Sequence, residues 1–339
     1  MLKTQFSRRG CLALGVGMSA MAWTDRKAFA QRALALATDR AGTTFNAIGT
    51  GIAKVAARHS GINISIRPFA GPDAWLPQLA RSEIHLGAVS SFSAWEASQR
   101  PAPGRERIDG LRVLFSGRGS LYVGLIVAAA SPIRTIADLR GARMAAGYGG
   151  HRAVLASIES VLAPAGLGWS DLRSVPVVGI VDGIDALVAG RVDACWVSLG
   201  QPQVREADLK IGIRYLPLIN TPEAGVQMQR IAFPGARIET VPADAAPGVP
   251  APTPLMTYDA YLITNNALEP NAATAIVQSL WDHNEELVSA HRSLGGFTKA
   301  NAVTDLPILP YHPGAIEFFR AKGAWTEETD RLHRAAGLT

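Results

Sequence analysis

Cysteine, long runs of one charge sign and membrane-spanning apolar stretches are scarce in this sequence. Two cysteines in 339 residues exclude a scaffold built on disulfides. Charged residues make up 18% of the chain and hydrophobic residues 48%, which excludes disorder as its general state. After residue 30 there is no Lys/Arg run, and no apolar stretch is long enough to cross a bilayer. The length favours two domains, with ample apolar material for their cores.

The first thirty residues have the layout of a secretory signal peptide. A basic start is followed by an uncharged, apolar stretch at 10–23 and then by the small residues Ala28 and Ala30. The segment 7–12 also resembles a twin-arginine export signal. We therefore expect a signal peptide at 1–30, cleavage after Ala30, and a periplasmic protein without stable membrane insertion.

Most of the formal net charge of +5 belongs to this segment, which carries five basic residues and one acidic residue. The rest of the chain has a net charge of +1, which removes the basis for a nucleic-acid partner. Cys195 is the cysteine that remains. Its position in an apolar run at 192–197 is typical of a buried hydrophobe rather than a nucleophile.

Short apolar runs alternate with longer amphipathic stretches beyond residue 30, a pattern typical of an α/β protein. The predicted strands are 33–37, 62–67, 85–89, 112–116, 123–128, 143–146, 192–197 and 260–264. The predicted helices are 45–58, 75–81, 153–162, 183–189, 271–289 and 315–322. The segments 79–89 and 187–197 both read as a helix end, a tight turn and a buried strand. This repetition fits two similar α/β lobes with a ligand between them.

The turns that follow four of the predicted strands contain the candidate ligand-binding residues. Ligands of open α/β sheets bind beyond the carboxyl ends of the strands, where unpaired N–H groups of the next helix favour negative charge. Small and hydroxyl residues are common in turns of this kind and can also serve only as helix caps. The candidates are Arg40, Thr43, Thr44, Phe45, Ser90, Ser91, Tyr148, Gly149, His151, Arg152, Ser198 and Gln201.

An arginine among these candidates could hold a carboxylate through two parallel hydrogen bonds. Arg152 opens a predicted helix, from which it can reach a ligand or solvent equally well. Arg40 follows the first strand, where the neighbouring Asp39 is an alternative partner for its guanidinium.

The sequence contains few motifs typical of catalytic, metal-binding or cofactor-binding sites. The stretch 147–150 lacks the third glycine and the acidic residue of a dinucleotide site, and it lacks the Lys-Ser/Thr of a P-loop. His283-x-x-Glu286, with His291 further on, is interpreted as the polar face of an amphipathic helix, because neither a two-His pair at i, i+4 nor a thiol accompanies it. The sequence therefore predicts no catalytic residue, no metal and no cofactor.

Four segments carry a resemblance to a known family. They are the Gly/Thr-containing turn at 37–49, the less specific segment 136–144, the helix–strand segment 187–202 and the Leu-Pro-Ile…His-Pro-Gly-Ala motif at 306–315. With these segments the chain resembles a TAXI-type substrate-binding protein, the extracytoplasmic component of a TRAP transporter. The resemblance covers essentially all of the chain after the signal segment. Asp39 and Arg40 stand where that family usually has glycines.

The resemblance implies a type II periplasmic-binding-protein fold, with two α/β lobes joined by a strand hinge near 121–127 and 257–263. The expected limits are 31–124 with 258–339 for lobe 1, and 125–257 for lobe 2. The implied function is capture of a small organic anion, a carboxylate or an amino acid, by a monomer that delivers it to a TRAP-type membrane permease. Two alternatives stay open: a secreted enzyme on the same fold, with His151 as its candidate group, or a binding protein that reports to a membrane sensor.

Overall fold

A computed structural model describes residues 33–101, 106–118 and 121–338. The predicted signal peptide and its cleavage point lie outside the described residues. Within those ranges, no helix combines the length and the apolar character needed to cross a membrane.

Twelve β-strands and eleven α-helices form the described chain. The strands are β1 (Leu34–Asp39), β2 (Ile64–Phe69), β3 (Leu86–Ser90), β4 (Leu111–Gly117), β5 (Tyr122–Ala128), β6 (Arg143–Ala146), β7 (Arg173–Pro176), β8 (Cys195–Ser198), β9 (Ile213–Tyr215), β10 (Arg237–Val241), β11 (Thr253–Thr257) and β12 (Ala260–Asn265). The helices are α1 (Thr44–Ser60), α2 (Pro72–Ala80), α3 (Ser91–Gln99), α4 (Arg152–Leu162), α5 (Ile180–Val188), α6 (Pro202–Ile211), α7 (Pro222–Ile231), α8 (Pro270–Asp282), α9 (Asn284–Ala290), α10 (Pro313–Ala321) and α11 (Glu327–Ala335). Short 3-10 helices lie at Ala137–Leu139, Ala163–Ala165, Trp169–Asp171, Arg292–Leu294 and Lys299–Asn301.

The first sheet has five strands in the order β2-β1-β3-β12-β4. β1 runs parallel to β2 and β3, and its Leu36 lies opposite both Ile66 and Leu86. β12 returns antiparallel between β3 and β4. All six residues of β1 are buried, as expected for a central strand that is covered on both faces. We call the elements packed on this sheet the first lobe.

The second sheet repeats much of this arrangement. Its strands are ordered β10-β11-β5-β8, with β9 also paired to β5. β6 and β7 form a parallel pair, and a parallel bridge from Met144 to Ala194 joins β6 to the residues just before β8. The succession β7-β6-β8-β5 therefore mirrors β2-β1-β3-β12. The elements on this sheet are the second lobe, so the chain has the predicted two-lobed α/β architecture.

The chain crosses between the lobes after β4 and again between β11 and β12. Thr257 pairs with Tyr122 across β11 and β5, and the Thr257 hydroxyl donates to the Leu121 carbonyl at 2.9 Å. β5 belongs to the second sheet from its first residue. The hinge positions and the lobe limits given above stay predictions.

Asp259 lies in the second crossing and is buried. Its Oδ1 accepts a hydrogen bond from Arg237 Nη2 at 2.9 Å, and its Oδ2 accepts one from the Thr304 hydroxyl at 3.2 Å. Arg237 belongs to β10 of the second lobe, and Thr304 belongs to the first lobe. The Asp259 carboxylate therefore links the crossing to both lobes.

Local sequence explains how α1 begins and ends. The Thr43 side chain accepts the Asn46 amide at 3.2 Å as an N-cap, and Gly61 ends the helix with a positive φ of 73°. Ile48, Ile52 and Val55 lie on one face of the helix and are fully buried. Burying such a side chain stabilises a fold by about 1.5–3 kcal/mol. The packing of this face therefore fixes the direction of α1 relative to the sheet.

The elements predicted from the sequence are confirmed, with one correction. The predicted helix 271–289 is two helices, α8 and α9, separated at His283. The reason is local, because Asn284 donates its side-chain amide to the Leu280 carbonyl at 3.5 Å and to the Phe297 carbonyl at 2.7 Å. Side chains of this type compete with the helical backbone.

Candidate functional site

The carboxyl ends of strands from both lobes enclose a small cavity. Its volume is about 30 Å³, room for about two water molecules. Beside it the Asp73 amide of the first lobe donates to the Gly150 carbonyl of the second at 3.2 Å, so the lobes are closed on each other. The lining residues are Asp39, Thr43, Thr44, Phe45, Pro72, Ala88, Val89, Ser90, Ser93, Val123, His151, Ala153, Val154, Ile180, Trp196, Ser198, Gln201 and Tyr258. A solute of several heavy atoms can enter only after the lobes part.

Six helices begin at this cavity, three from each lobe. α1, α2 and α3 start at Thr44, Pro72 and Ser91 in the first lobe, whereas α4, α5 and α6 start from the second. In the first lobe the caps Thr43 and Ser90 already accept amides of their own helices. The caps of α4, α5 and α6 make no side-chain capping bond. Gly71, the cap of α2, makes none either, and at α4 the Arg152 amide already donates to Asp73 Oδ2 at 3.3 Å. The starts of α5 and α6 are therefore the second-lobe helix ends that can receive negative charge.

A buried carboxylate faces this end of the second lobe. Asp39 is the last residue of β1, and its Oδ2 lies 3.9 Å from His151 Nε2 across the cleft. Burial raises the pKa of Asp39 above its ordinary value, while His151 lowers that pKa and Asp73 raises it. Burial is the largest of these causes, and among the described residues no arginine or lysine lines the cavity to offset it.

Two polar groups in the lining are buried and have no hydrogen-bond partner among the described residues. They are Thr44 Oγ1 in the first lobe and Gln201 Nε2 in the second. Leaving such groups unpaired costs about 1–3 kcal/mol each. Together with Asp39 they form a set of polar groups that a bound solute would satisfy.

Neither of the two candidate arginines lines this cavity, and a role for them in binding stays a prediction. Arg40 lies at the rim, where its Nη1 pairs with Asp182 of the second lobe at 3.5 Å. Arg152 turns outward, and its Nη2 lies 3.6 Å from Glu96 of the first lobe. Within the described part of the chain, no arginine or lysine lines the cavity. Both side chains bridge the lobes instead of facing a ligand.

Three other candidates also lie outside the lining. The Ser91 amide donates to the Asp259 carbonyl at 2.8 Å, and Ser91 is buried at the start of α3. Tyr148 is buried beneath β8 with its hydroxyl accepting the Trp196 amide at 2.9 Å. Gly149 belongs to the turn before α4 and is exposed, and a Cβ there would lie 3.3 Å from the Val178 carbonyl oxygen. These residues support the walls of the site.

The remaining seven candidates line the cavity: Thr43, Thr44, Phe45, Ser90, His151, Ser198 and Gln201. Their roles in binding stay predictions. Asp39 was missed as a ligand group because the sequence offered it as the partner of Arg40. Its position at the end of β1 was the available signal. Tyr258 and Trp196 were missed because aromatic residues in strands are usually core.

The described lining offers little for covalent catalysis. Cys195 is the one cysteine among the described residues, and it is buried and does not line the cavity. Burial raises the pKa of its thiol, which disfavours the thiolate needed for nucleophilic attack. The arrangement is suited to holding a solute between two lobes.

The fold is that of the two-lobed periplasmic binding proteins. A periplasmic transporter structure matches with a TM-score of 0.53 at 14% identity, covering 91% of this chain and 97% of the other. A protein from Bordetella bronchiseptica matches with a TM-score of 0.52 at 16% identity over 91% and 99%. The alkanesulfonate-binding protein SsuA from Xanthomonas axonopodis pv. citri, bound to MOPS, gives 0.50 at 16% over 88% and 97%.

The chain belongs to the NMT1-like family, whose model matches residues 36–323. The match begins within β1 and ends just after α10, so it includes both lobes and every residue of the cavity lining.

Proposed function

We propose that this protein is an extracytoplasmic solute-binding protein that encloses a small zwitterionic solute, with an amine and a carboxylate, and delivers it to a membrane permease. One observation carries the choice of solute: the buried Asp39 carboxylate faces the cavity from the first lobe, and the starts of α5 and α6, which have no side-chain caps, face it from the second. A protonated amine would compensate Asp39, and a carboxylate would meet the open helix ends.

The sequence left a carboxylate and an amino acid open as solutes, and we favour the amino acid. Neither Arg40 nor Arg152 reaches the cavity, so a simple anion would meet the Asp39 carboxylate without a guanidinium to offset the repulsion. A solute that also carries positive charge would remove this conflict. Because the amine and carboxylate bind different lobes, the same solute would hold the lobes together, and hinge closure would accompany binding.

The resemblance of the segments 37–49, 187–202 and 306–315 to TAXI-type proteins supports a TRAP-type permease as the receiving partner. The experiment for this step is uptake into vesicles that contain a TRAP-type permease, with and without the binding protein. Transport only when both are present would support delivery. Equal uptake without the binding protein would contradict it.

The solute class is tested by thermal shift and calorimetry with sets of three compounds that share one side chain. Each set contains an α-amino acid, the acid that lacks its amine, and the amine that lacks its carboxylate. The amino acid should stabilise the protein most, by about 2.7 kcal/mol at a hundred times its Kd. Binding of the amine-free acid with equal affinity would contradict the assignment.

Two variants separate the role of Asp39 from general effects of charge. Asp39→Asn removes the carboxylate charge at nearly constant shape and should abolish the advantage of the amino acid over the amine-free acid. Asp182→Asn is the matched control, because Asp182 is also acidic and lies at the cleft but pairs with Arg40 outside the cavity lining. It should leave the preference between the two compounds unchanged.

A further inference from the structure

A cluster of metal-ligating side chains lies at the far end of α1 from the cleft. His59 stands in the last turn of α1, His283 at the break between α8 and α9, and Glu286 in the first turn of α9. Because α1 has 17 residues with a rise of 1.5 Å each, about 25 Å separates this end from the cavity. The cluster is therefore independent of the solute site.

The three side chains lie close together on the surface of the first lobe. His59 Nε2 lies 2.8 Å from Glu286 Oε2, and one ligand atom from each residue lies within 4.8 Å of the other two. The imidazole rings of His59 and His283 stack with their centroids 3.4 Å apart and their planes 10° from parallel. Two ligands of a tetrahedral zinc ion, with bonds of about 2.0–2.1 Å, stand about 3.3 Å apart. The 2.8 Å separation of His59 and Glu286 is close to that value. The stacked rings hold their nitrogen lone pairs in nearly parallel planes, so one ring must rotate before both histidines bind the same ion.

We propose that His59, His283 and Glu286 form a binding site for a divalent first-row transition metal such as Zn²⁺. Two imidazoles and one carboxylate supply three ligands and leave a fourth position for water or for a group from another molecule. This donor set suits zinc, copper and nickel, whereas Ca²⁺ and Mg²⁺ require oxygen ligands in larger number.

The surroundings orient the carboxylate for this role. Arg58 pairs with Oε1 of Glu286, so the other oxygen, Oε2, is the one that faces His59. Hydrogen bonds to ligating carboxylates are a regular feature of metal sites because they fix the ligand's orientation. Arg58 and Lys54 also place positive charge near Glu286, and this charge will weaken the attraction of a dication.

The sequence alone could not show this site. His283 and Glu286 are three residues apart and were interpreted as the polar face of one helix, whereas the structure ends α8 at Asp282 and adds His59 from another helix. A bound metal would tie the last turn of α1 to α9. It would therefore stabilise the first lobe without changing solute binding.

The test is a calorimetric titration of the full chain, purified without a polyhistidine tag and stripped with chelator, using Zn²⁺, Ni²⁺, Ca²⁺ and Mg²⁺ as probes. We expect one equivalent of Zn²⁺ to bind and no binding of Ca²⁺ or Mg²⁺. His59→Gln, His283→Gln and Glu286→Gln should each weaken zinc binding at least about tenfold. Thermal unfolding without metal shows whether each variant is folded, and any one folded variant is sufficient for the comparison.

Two control variants place the metal within the chain. His291→Asn changes a nearby histidine whose ring only accepts the Ser293 amide, a bond that asparagine can replace. His151→Asn changes the histidine of the cleft. Both should bind zinc as the unmodified chain does. Absence of zinc binding at millimolar metal, unchanged affinity in a folded cluster variant, or loss of binding in His151→Asn would each overturn the proposal.

Discussion

A single methyl group added at Gly71 should block closure of the two lobes. Gly71 precedes α2 in the first lobe and packs against the turn before α4 in the second. A Cβ at this position would lie 2.7 Å from both the Gly150 carbonyl carbon and His151 Cδ2, and closer still to the Gly150 oxygen. Gly71 has extended backbone, with φ of 165° and ψ of 176°, so alanine is compatible with the local conformation. The conflict therefore lies entirely between the lobes.

The structure gives the size of the expected effect. Relieving the overlap needs a separation of about 1 Å at this seam. Two hydrogen bonds cross it, from the Asp73 amide to the Gly150 carbonyl at 3.2 Å and from the Arg152 amide to Asp73 Oδ2 at 3.3 Å. At about 1 kcal/mol each, their loss costs the closed state about 2 kcal/mol. Solute affinity should then fall by about 30-fold.

The assay combines calorimetric titration, using the amino acid that stabilises the protein most in the screen, with small-angle scattering. Gly71→Ala should bind more weakly and stay more extended than the unmodified chain, both with and without solute. Gly168→Ala is the control, because its Cβ would meet nothing within 4 Å. A Gly71→Ala variant with unchanged affinity and unchanged compaction would refute the argument that these lobes meet at this seam.

Three further predictions concern stability. Burial raises the pKa of Asp39 in the folded chain. Below the pKa that Asp39 has in the unfolded chain, it is protonated in both states and costs no stability. As the pH rises through the raised pKa of the folded chain, ionisation of Asp39 lowers the free energy of unfolding. The Asp39→Asn variant should therefore have a higher melting temperature than the unmodified chain at pH 7–8, and the same melting temperature near pH 3.5. A difference in melting temperature that is constant at all pH values would contradict this. Asp259→Ala removes the buried carboxylate that lies 2.9 Å from Arg237 and leaves it the more exposed Glu239 at 3.5 Å. It should destabilise the chain by about 3 kcal/mol in denaturant unfolding, and a loss below about 1 kcal/mol would show that Glu239 or solvent compensates. In Gly87→Ala the added methyl group would overlap with ring atoms of Trp75, which should lower the free energy of unfolding by about 1–3 kcal/mol. Unchanged stability would mean that Trp75 can shift freely.

The two-lobed fold was predictable because periodicity is a local signal. The paired segments 79–89 and 187–197 become the equivalent units α2–β3 and α5–β8, and both strands pair with a strand of opposite direction next to the crossings. α3 was missed because its start, Ser90 and Ser91, is also typical of a turn. The Ser90 side chain caps the helix by accepting the Ser93 amide at 3.0 Å.

The site was predictable in position and less so in chemistry. Strand ends can be located from the sequence, and seven of the twelve candidates line the cavity. The directions of Arg40 and Arg152 depend on Asp182 and Glu96, which belong to the opposite lobe in each case. A pairing between side chains that are far apart in the sequence cannot be predicted from local residue spacing. For the same reason, His59 and Glu286, 227 residues apart, were not associated.

The ion pairs Arg40–Asp182 and Arg152–Glu96 have a consequence for the rate of solute capture. They join the two lobes at the rim of the closed cleft, so they must break before a solute can enter. Three of the four side chains are more than a third exposed, and dissolved salt therefore screens these pairs. Moderate salt should open the ligand-free protein more often and accelerate association. The opposite dependence, slower association at higher salt, is typical of electrostatic steering. The ionic strength would then set how often the two lobes part and admit a solute.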